Sequence, residues 1–349
     1  MRDGVKLNVE ICTTPSTGLT NKLDAMVLSL SHPALKTIAP WEGFTDIYHQ
    51  FAIRGGMPTH MPFVRALTMS FAGSNSIENI ADMVTSTPLL NEHWADRHDQ
   101  LENIQVPMYI LGSYTSMFHS FGSFDMFERS GANKKWLRVH PHYEWYDLYR
   151  PDAQNDLARF FDRYCKDIQN GWKKSTSPLR LSLLGFESIP DVIERPEREF
   201  PLASQQLQRF YLHGGDKTLK SGMASQISTV THRACAAPSK LTCSQDFTLR
   251  FDSHTEISGY ARVCLWMSTA DRDDMDVVVQ IRKIDKNGEM LSHVNFPVPV
   301  PKDQIPDFNI AKYLGPQECF GLRMQFLGMN PKQAEMAKFS STSMTFRRK

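Results

Sequence analysis

The stretch RVHPHYEW places His140 and His142 two residues apart. On a strand, residues i and i+2 share a face, so the pair could in principle ligate a metal. No third ligand cluster accompanies them, and no metal site or other cofactor is expected. His140 closes an apolar run, WLRVH. In open α/β sheets reactive groups gather at the carboxyl ends of strands, so His140 reads either as a general base or as a hydrogen-bonded structural histidine. A second strand-like run, LKTIAP, opens into the loop PWEGF, whose Trp41 and Glu42 could line a substrate pocket. The alternative is a packed loop with a capping carboxylate. A serine nucleophile would call for G-x-S-x-G, the strained strand-to-helix turn that exposes a hydroxyl. That pattern is absent: GSNSI at Gly73 and GSYTS at Gly112 share only fragments of it. The acidic run STADRDDMD lacks the twelve-residue calcium-loop pattern and reads as a solvated turn.

The elements that would position these residues fall into two textures. In the first half, apolar strands alternate with helical patterns. VKLNVEI alternates like a strand, and NKLDAMVLSLS sets Leu23, Met26, Val27 and Leu30 on one helical face. LKTIAP, VPMYILGS and KKWLRVH are strand-like, GSFDMFERS is helical, and QNDLARFFDRYCK carries Leu157, Phe160, Phe161 and Tyr164 along one side. Residues 46–103 read as mainly helical, with breaks at Gly55-Gly56, Pro62 and Gly73. Alternation of this kind predicts an α/β layered domain over 1–176. From Ser177 onward the runs LRLSLLGF, QRFYLHGG, LTCSQDFTLRFDS, ISGYARVCLWMST and MDVVVQIRKIDKNG are strand-like. KIDKNGEML adds an Asn-Gly hairpin signal. These predict an all-β domain of sandwich or jelly-roll type over 177–349, joined by a polar linker near 170–177.

Bulk properties narrow the function classes. A chain of 349 residues can hold two cores. A net charge of +1 gives no overall field for nucleic acid or an anionic membrane. No apolar run reaches the roughly 20 residues that cross a bilayer, and MRDGVKLNVEICTTPSTG has no signal-peptide core. The six cysteines form no CxxC pair, which fits a reducing compartment. A cytoplasmic protein is expected, with neither nucleic acid nor membrane as partner.

Several stretches, in order along the chain, resemble the X-prolyl dipeptidyl-peptidase and cocaine-esterase family of serine hydrolases. They are HPALKTIAPWEGFTDIYHQFAIRGG, VPMYILGSYTSMFHSFGSFDMF, KKWLRVHPHYEWYDLY and LARFFDRYCKDIQNGWKKSTSPLRLSLLGFE, followed by ERPEREFPLASQQLQRFYL and DMDVVVQIRKIDKNGEML. The resemblance implies an α/β-hydrolase domain with a helical cap, here 46–103, followed by a jelly-roll domain. It also implies cleavage of acyl esters or X-Pro peptide bonds by a Ser-Asp-His triad, with a small ester or peptide as partner. Residue by residue, His140 matches the base, and Ser116, which is not an acid, stands at the acid's place. The nucleophile elbow would precede LDAMVLSLS, where the chain has Thr20, Asn21 and Lys22. Only CTTPSTGLT occupies the space of several central strands, and the chain stops at TFRRK where the family's β-domain would continue. The expectation is therefore a truncated hydrolase chain, inactive as written, whose His140 is neutral at pH 7 and has no carboxylate beside it. A non-catalytic interaction or carbohydrate-binding protein, using the jelly-roll surface, is the other reading, and a homo-oligomer is compatible with either.

Overall fold

The computed structural model describes residues 35–349 apart from 59–60, 73–78, 96–97, 99, 117, 188, 233–243, 269–273, 308–309, 324–344 and 349. The readings made on VKLNVEI, NKLDAMVLSLS and the segment Thr20 to Lys22 lie outside the described residues. The chain divides into two compact units, Met1–Phe200 with Trp266–Met336, and Pro201–Leu265 with Ala337–Lys349.

The first unit is built on a four-stranded mixed sheet, β1 (Met108–Ser113), β2 (Lys135–His140), β3 (Leu179–Leu183) and β4 (Val192–Glu197), in that order. β1, β2 and β3 run parallel, and β4 returns antiparallel with a register shift between Leu181 and Leu183. Ahead of β1, parallel bridges join Ile38 to Met108 and Trp41 to Leu111, so the short run through Ile38 lies at the sheet's edge. KTIAP, MYILG and WLRVH are thus parallel neighbours, as their apolar character predicts. β1 is buried along its whole length, which is why it reads as a continuous apolar run rather than an alternating one.

Helices cover both faces. Seven α-helices occur among the described residues: α1 (Met61–Ala72), α2 (Ile80–Ser86), α3 (Glu92–Ala95), α4 (Ser120–Arg129), α5 (Glu144–Leu148), α6 (Pro151–Cys165) and α7 (Trp172–Ser175). α6 starts with Pro151, favoured at a helix's first position because its missing N–H has no intrahelical partner to lose. Its Leu157 and Phe160 pack with Tyr109, Leu111, Trp136 and Trp172 on one face of the sheet. α4 closes on the other face, where Gly112 of β1 lies under Ser123. At Gly122 a Cβ would stand 2.0 Å from the carbonyl oxygen of Gly43, so only glycine lets α4 reach the loop carrying Glu42. Segment 46–103 is mainly helical, as expected: a helical turn at Tyr48–Ala52, then α1, α2 and α3. Its apolar cluster packs against Phe118, in the loop leaving β1. Gly55 and Gly56 take positive φ in a tight reversal bridging Arg54 and Met57, a bend rather than a phosphate loop.

The expected boundary at 176/177 needs correction. β3, assigned from sequence to the β-domain, pairs with β2 and extends the sheet. The polar linker at 170–177 is the end of a β2–α6–β3 crossover, pinned by the fully buried Trp172 of α7. Residues beyond 200 also belong to this first unit. There, β8 (Asp274–Gln280) pairs antiparallel with β11 (Gln317–Arg323), and β9 (His293–Val294) with β10 (Lys312–Tyr313). They are tied to the sheet's end by Tyr143 N donating to Asn295 O at 3.0 Å and by His293 Nε2 at 2.8 Å from Pro141 O. The Asn-Gly hairpin forms as read, with Gly288 at φ +89 and Ile284 bridged to Met290.

In the second unit, β5 (Tyr211–His213) pairs with β6 (Thr218–Lys220), and β7 (Thr255–Ser258) with β12 (Thr345–Arg348), both antiparallel. LTCSQDFTLRFDS and ISGYARVCLWMST, read as strands, contribute in their described parts only the bridge at Thr248 and residues of β7. No helix among the described residues is long and apolar enough to cross a membrane.

Gly122→Ala is expected to destabilise the fold by about 1–3 kcal/mol, the usual cost of overpacking. Gly171→Ala has open space around the added Cβ but a φ of +80, and should cost about 1 kcal/mol, the smaller penalty of αL for a residue with a side chain. Urea denaturation of the two variants measures the contrast.

Candidate functional site

The carboxyl ends of β1 and β2 open onto a group of buried polar side chains. Each is set by a local feature of the chain. Glu42 has φ +56, a left-handed conformation uncommon for a residue with a Cβ. Its N–H donates to Leu111 O at 3.0 Å, holding the loop to the end of β1. At the end of β1, Ser113 forms a hydroxyl-linked turn with Thr115 and Ser116. Thr115 Oγ1 lies 2.9 Å from His142 O and donates to it, and Ser116 N donates to Ser113 Oγ at 3.3 Å. Ser116 Oγ accepts from His119 N at 3.2 Å and stands 3.3 Å from His119 Nδ1, just before α4 begins. Beyond β2, Pro141 leads to α5, whose first residue is Glu144 and whose fourth is Asp147.

Alternation along β2 puts Trp136, Arg138 and His140 on one face. Arg138 makes a bidentate pair with Asp147, Nη1 to Oδ2 and Nη2 to Oδ1 both at 2.8 Å, and its Nε donates to Glu194 Oε1 at 2.6 Å. Arg180 of β3 continues the network to Glu194 at 3.0 Å and Asp156 at 2.5 Å, with Tyr109 bonded to Asp156. His140 lies in the angle of this network and is fully buried. Its Nε2 is 3.0 Å from Glu42 Oε1 and 3.7 Å from Asp147 Oδ2.

This overturns the expectation that His140 has no carboxylate beside it. The carboxylate comes not from position 116 but from Glu42, on the neighbouring sheet edge, and from Asp147 one helical turn into α5. The Ser116 hydroxyl bonds to His119 and Glu42 rather than to His140. Trp41 and Glu42, expected to line a pocket, are 7% and 1% exposed. Trp41 packs in the apolar layer under α6, with the Arg138 guanidinium over its ring. His142 packs edge-on to Tyr146 and does not join His140 as a ligand pair. The potential ligand group among the described residues is a different one, Glu42, His119 and Glu144. Sequence reading passed over His119, Glu144, Asp147 and Arg138. Their one visible signal is position: ionisable residues close behind, or within, strand ends that point into a core.

Burial dominates the electrostatics. It pushes the Glu42 carboxyl up to about 8, against the opposing hydrogen bonds of the Ser113 and Ser116 hydroxyls. It pushes Glu144 up to about 8 as well, reinforced by the charge of Glu42. Burial holds His140 and His119 down to about 4, and Arg138 adds to the effect at His140. His142 also falls to about 4, through burial and then the charge of Arg150. For Asp147, burial opposes ionisation, but the charges of His140 and Arg138 overcome it and keep the carboxyl below its usual range. At pH 7 the site therefore holds neutral imidazoles, one firmly ionised carboxylate, and two glutamates that retain protons.

A fold of this kind, with a largely parallel sheet, a helical segment packed on the loop leaving β1 and a β-rich remainder, is shared with known hydrolases. The X-Pro dipeptidyl-peptidase C-terminal non-catalytic domain matches residues 170–303. Two solved structures of a CocE/NonD family hydrolase from Staphylococcus aureus superpose on 93% of the chain with a TM-score of 0.75, at 24% and 25% identity. The chain spans 57% and 58% of those two proteins. No curated protein matches it. The likeness is thus to hydrolases of the CocE/NonD family over most of the chain, and to the non-catalytic domain of X-Pro dipeptidyl-peptidases over residues 170–303.

Two predictions follow from the geometry. Asp147→Asn leaves the buried Arg138 charge without its bidentate partner and should cost about 3–5 kcal/mol in urea unfolding. The second concerns pH. Glu42 and Glu144 bind protons more tightly folded than unfolded, so their contribution is full below about 4.5 and is lost as pH rises to about 8. The three histidines act oppositely, over about 4 to 6.5. Between pH 6.5 and 8 the carboxyls act without the histidines, and stability in EDTA should fall by up to about 1.4 kcal/mol per pH unit for each. Glu144→Gln should flatten that fall; an unchanged slope in paired denaturation curves would refute the assignment.

Proposed function

We propose that the parent chemistry of this chain is hydrolysis of acyl esters or X-Pro peptide bonds, with His140 in the place of the base and little or no turnover by the chain as written. The observation that carries the reading is His140 at the carboxyl end of a parallel strand with the Glu42 carboxyl group 3.0 Å away. In a triad of this class a serine attacks the carbonyl, histidine takes and returns the proton, and a carboxylate orients the imidazole and stabilises its charged form. Glu42 supplies the carboxyl group that Ser116 cannot. Its raised proton affinity makes it a weaker counter-charge than an ionised aspartate, and Asp147, 3.7 Å from the same nitrogen, adds the fixed negative charge.

What the sequence lacks is the nucleophile. G-x-S-x-G occurs nowhere in the 349 residues. Loss of the serine alone costs on the order of a million-fold in turnover in a well-studied protease. The β-rich remainder is assigned to the jelly-roll role of the family's non-catalytic domain, the substrate class to small esters or short peptides, and the compartment to the cytoplasm.

The test is hydrolysis of a short-chain activated ester by the purified chain and by His140→Ala, with labelling by a fluorophosphonate probe. Equal near-background rates and no labelling are expected. A robust rate abolished by the substitution, or a labelled serine, would overturn the inactive reading. Ser116, with His119 Nδ1 at 3.3 Å from its hydroxyl, would then be replaced first, before Ser113 and Ser120.

A further inference from the structure

We propose that Glu42, His119 and Glu144 bind a divalent transition-metal ion of the zinc type. The three come from separate elements: the loop at the sheet edge, the turn before α4 and the start of α5. One donor atom from each lies within 4.8 Å of the other two, and all three side chains are buried. Around a four-coordinate ion with bonds of about 2.0–2.1 Å, donor atoms stand about 3.4 Å apart. Binding would draw the present spacing in toward that value.

A separate observation points to a ligand. Glu144 Oε2 is buried without a hydrogen-bond partner among the described residues, on a side chain 10% exposed. Orphaned buried acceptors are rare because each forfeits its hydration for nothing in return. A divalent cation would displace the protons that Glu42 and Glu144 hold at pH 7 and neutralise the two carboxylate charges left in a water-poor site. The donor set, one nitrogen and two carboxylate oxygens, suits zinc better than calcium or magnesium, which prefer all-oxygen cages. Three protein ligands leave a fourth position for water. The supporting groups are also those a metal ligand needs. His140 Nε2 stands 3.0 Å from Glu42 Oε1, and the Ser116 hydroxyl accepts from the His119 backbone N–H, fixing the start of the element that carries that ligand.

The experiment reads binding and not turnover, so its failure leaves the hydrolase reading untouched. Zinc sulfate is titrated calorimetrically into the chelator-stripped chain, and zinc is counted by elemental analysis after dialysis. One equivalent is expected, with affinity weakened at least tenfold in both Glu144→Gln and His119→Ala, and unchanged in the exposed control Glu102→Gln. No saturable binding, or wild-type affinity in either site variant, would overturn the proposal. Should either variant fail to fold, X-ray absorption of the zinc-loaded wild-type chain decides: a shell of one imidazole with oxygens supports the site, and a thiolate or several imidazoles refutes it.

Discussion

The ion pair between Arg138 and Asp147 is the constraint on which the site depends. Both partners are almost wholly out of solvent, with two hydrogen bonds at 2.8 Å between them. A pair so placed gains little net stability over an apolar substitute but is costly to break, because either charge alone would be stranded. Its geometric effect is therefore larger than its energetic one. Arg138 sits in the middle of β2, and Asp147 sits in α5. Joining them folds the loop after β2 back over the strand's end, and that fold places Glu144 beside Glu42 and presses His140 between two carboxyl groups.

The same network explains why the sheet continues where a linker was expected. Arg138, Arg180 and Glu194 lie on adjacent strands β2, β3 and β4, and the carboxylates of Asp147 and Asp156 close the row from the helices above. Charge matching across strands fixes register as firmly as apolar packing does, since a slip of one residue would leave a buried guanidinium unpaired. Trp172 anchors the far end of the crossover beneath α6, in contact with Tyr109 and Phe160.

Two opposed demands meet at the strand ends. Packing against Trp41 and the α4 turn excludes water, which drives carboxylates and imidazoles toward their neutral forms. Acid–base chemistry or metal binding needs those same groups close together. The strained φ of Glu42 belongs with this conflict: the loop is held in a costly conformation by its hydrogen bond to Leu111, and the result is a carboxyl group aimed inward where a packed loop would ordinarily carry an apolar side chain.

The sequence by itself determined the local elements. Continuous apolar runs made β1 and β2, the stripe of Leu157 and Phe160 made α6, and Asn-Gly made the hairpin at residue 288, because each depends on periodicity or on backbone freedom within a few residues. It also showed that G-x-S-x-G does not occur in these 349 residues, which is a property of spelling alone, and singled out His140 and Glu42. Only the tertiary structure decided who their neighbours are. Glu42 reaches His140 because a bridge from Trp41 to Leu111 lays one strand's end beside another, and no pattern within either segment encodes that meeting. Likewise β3 read as part of a later domain, since its leucines fit any buried strand equally well. Its place beside β2 is set by a crossover helix and by matching of charges that are distant along the chain. Proton affinities came last of all, for burial is a property of the assembled core and not of any residue within it.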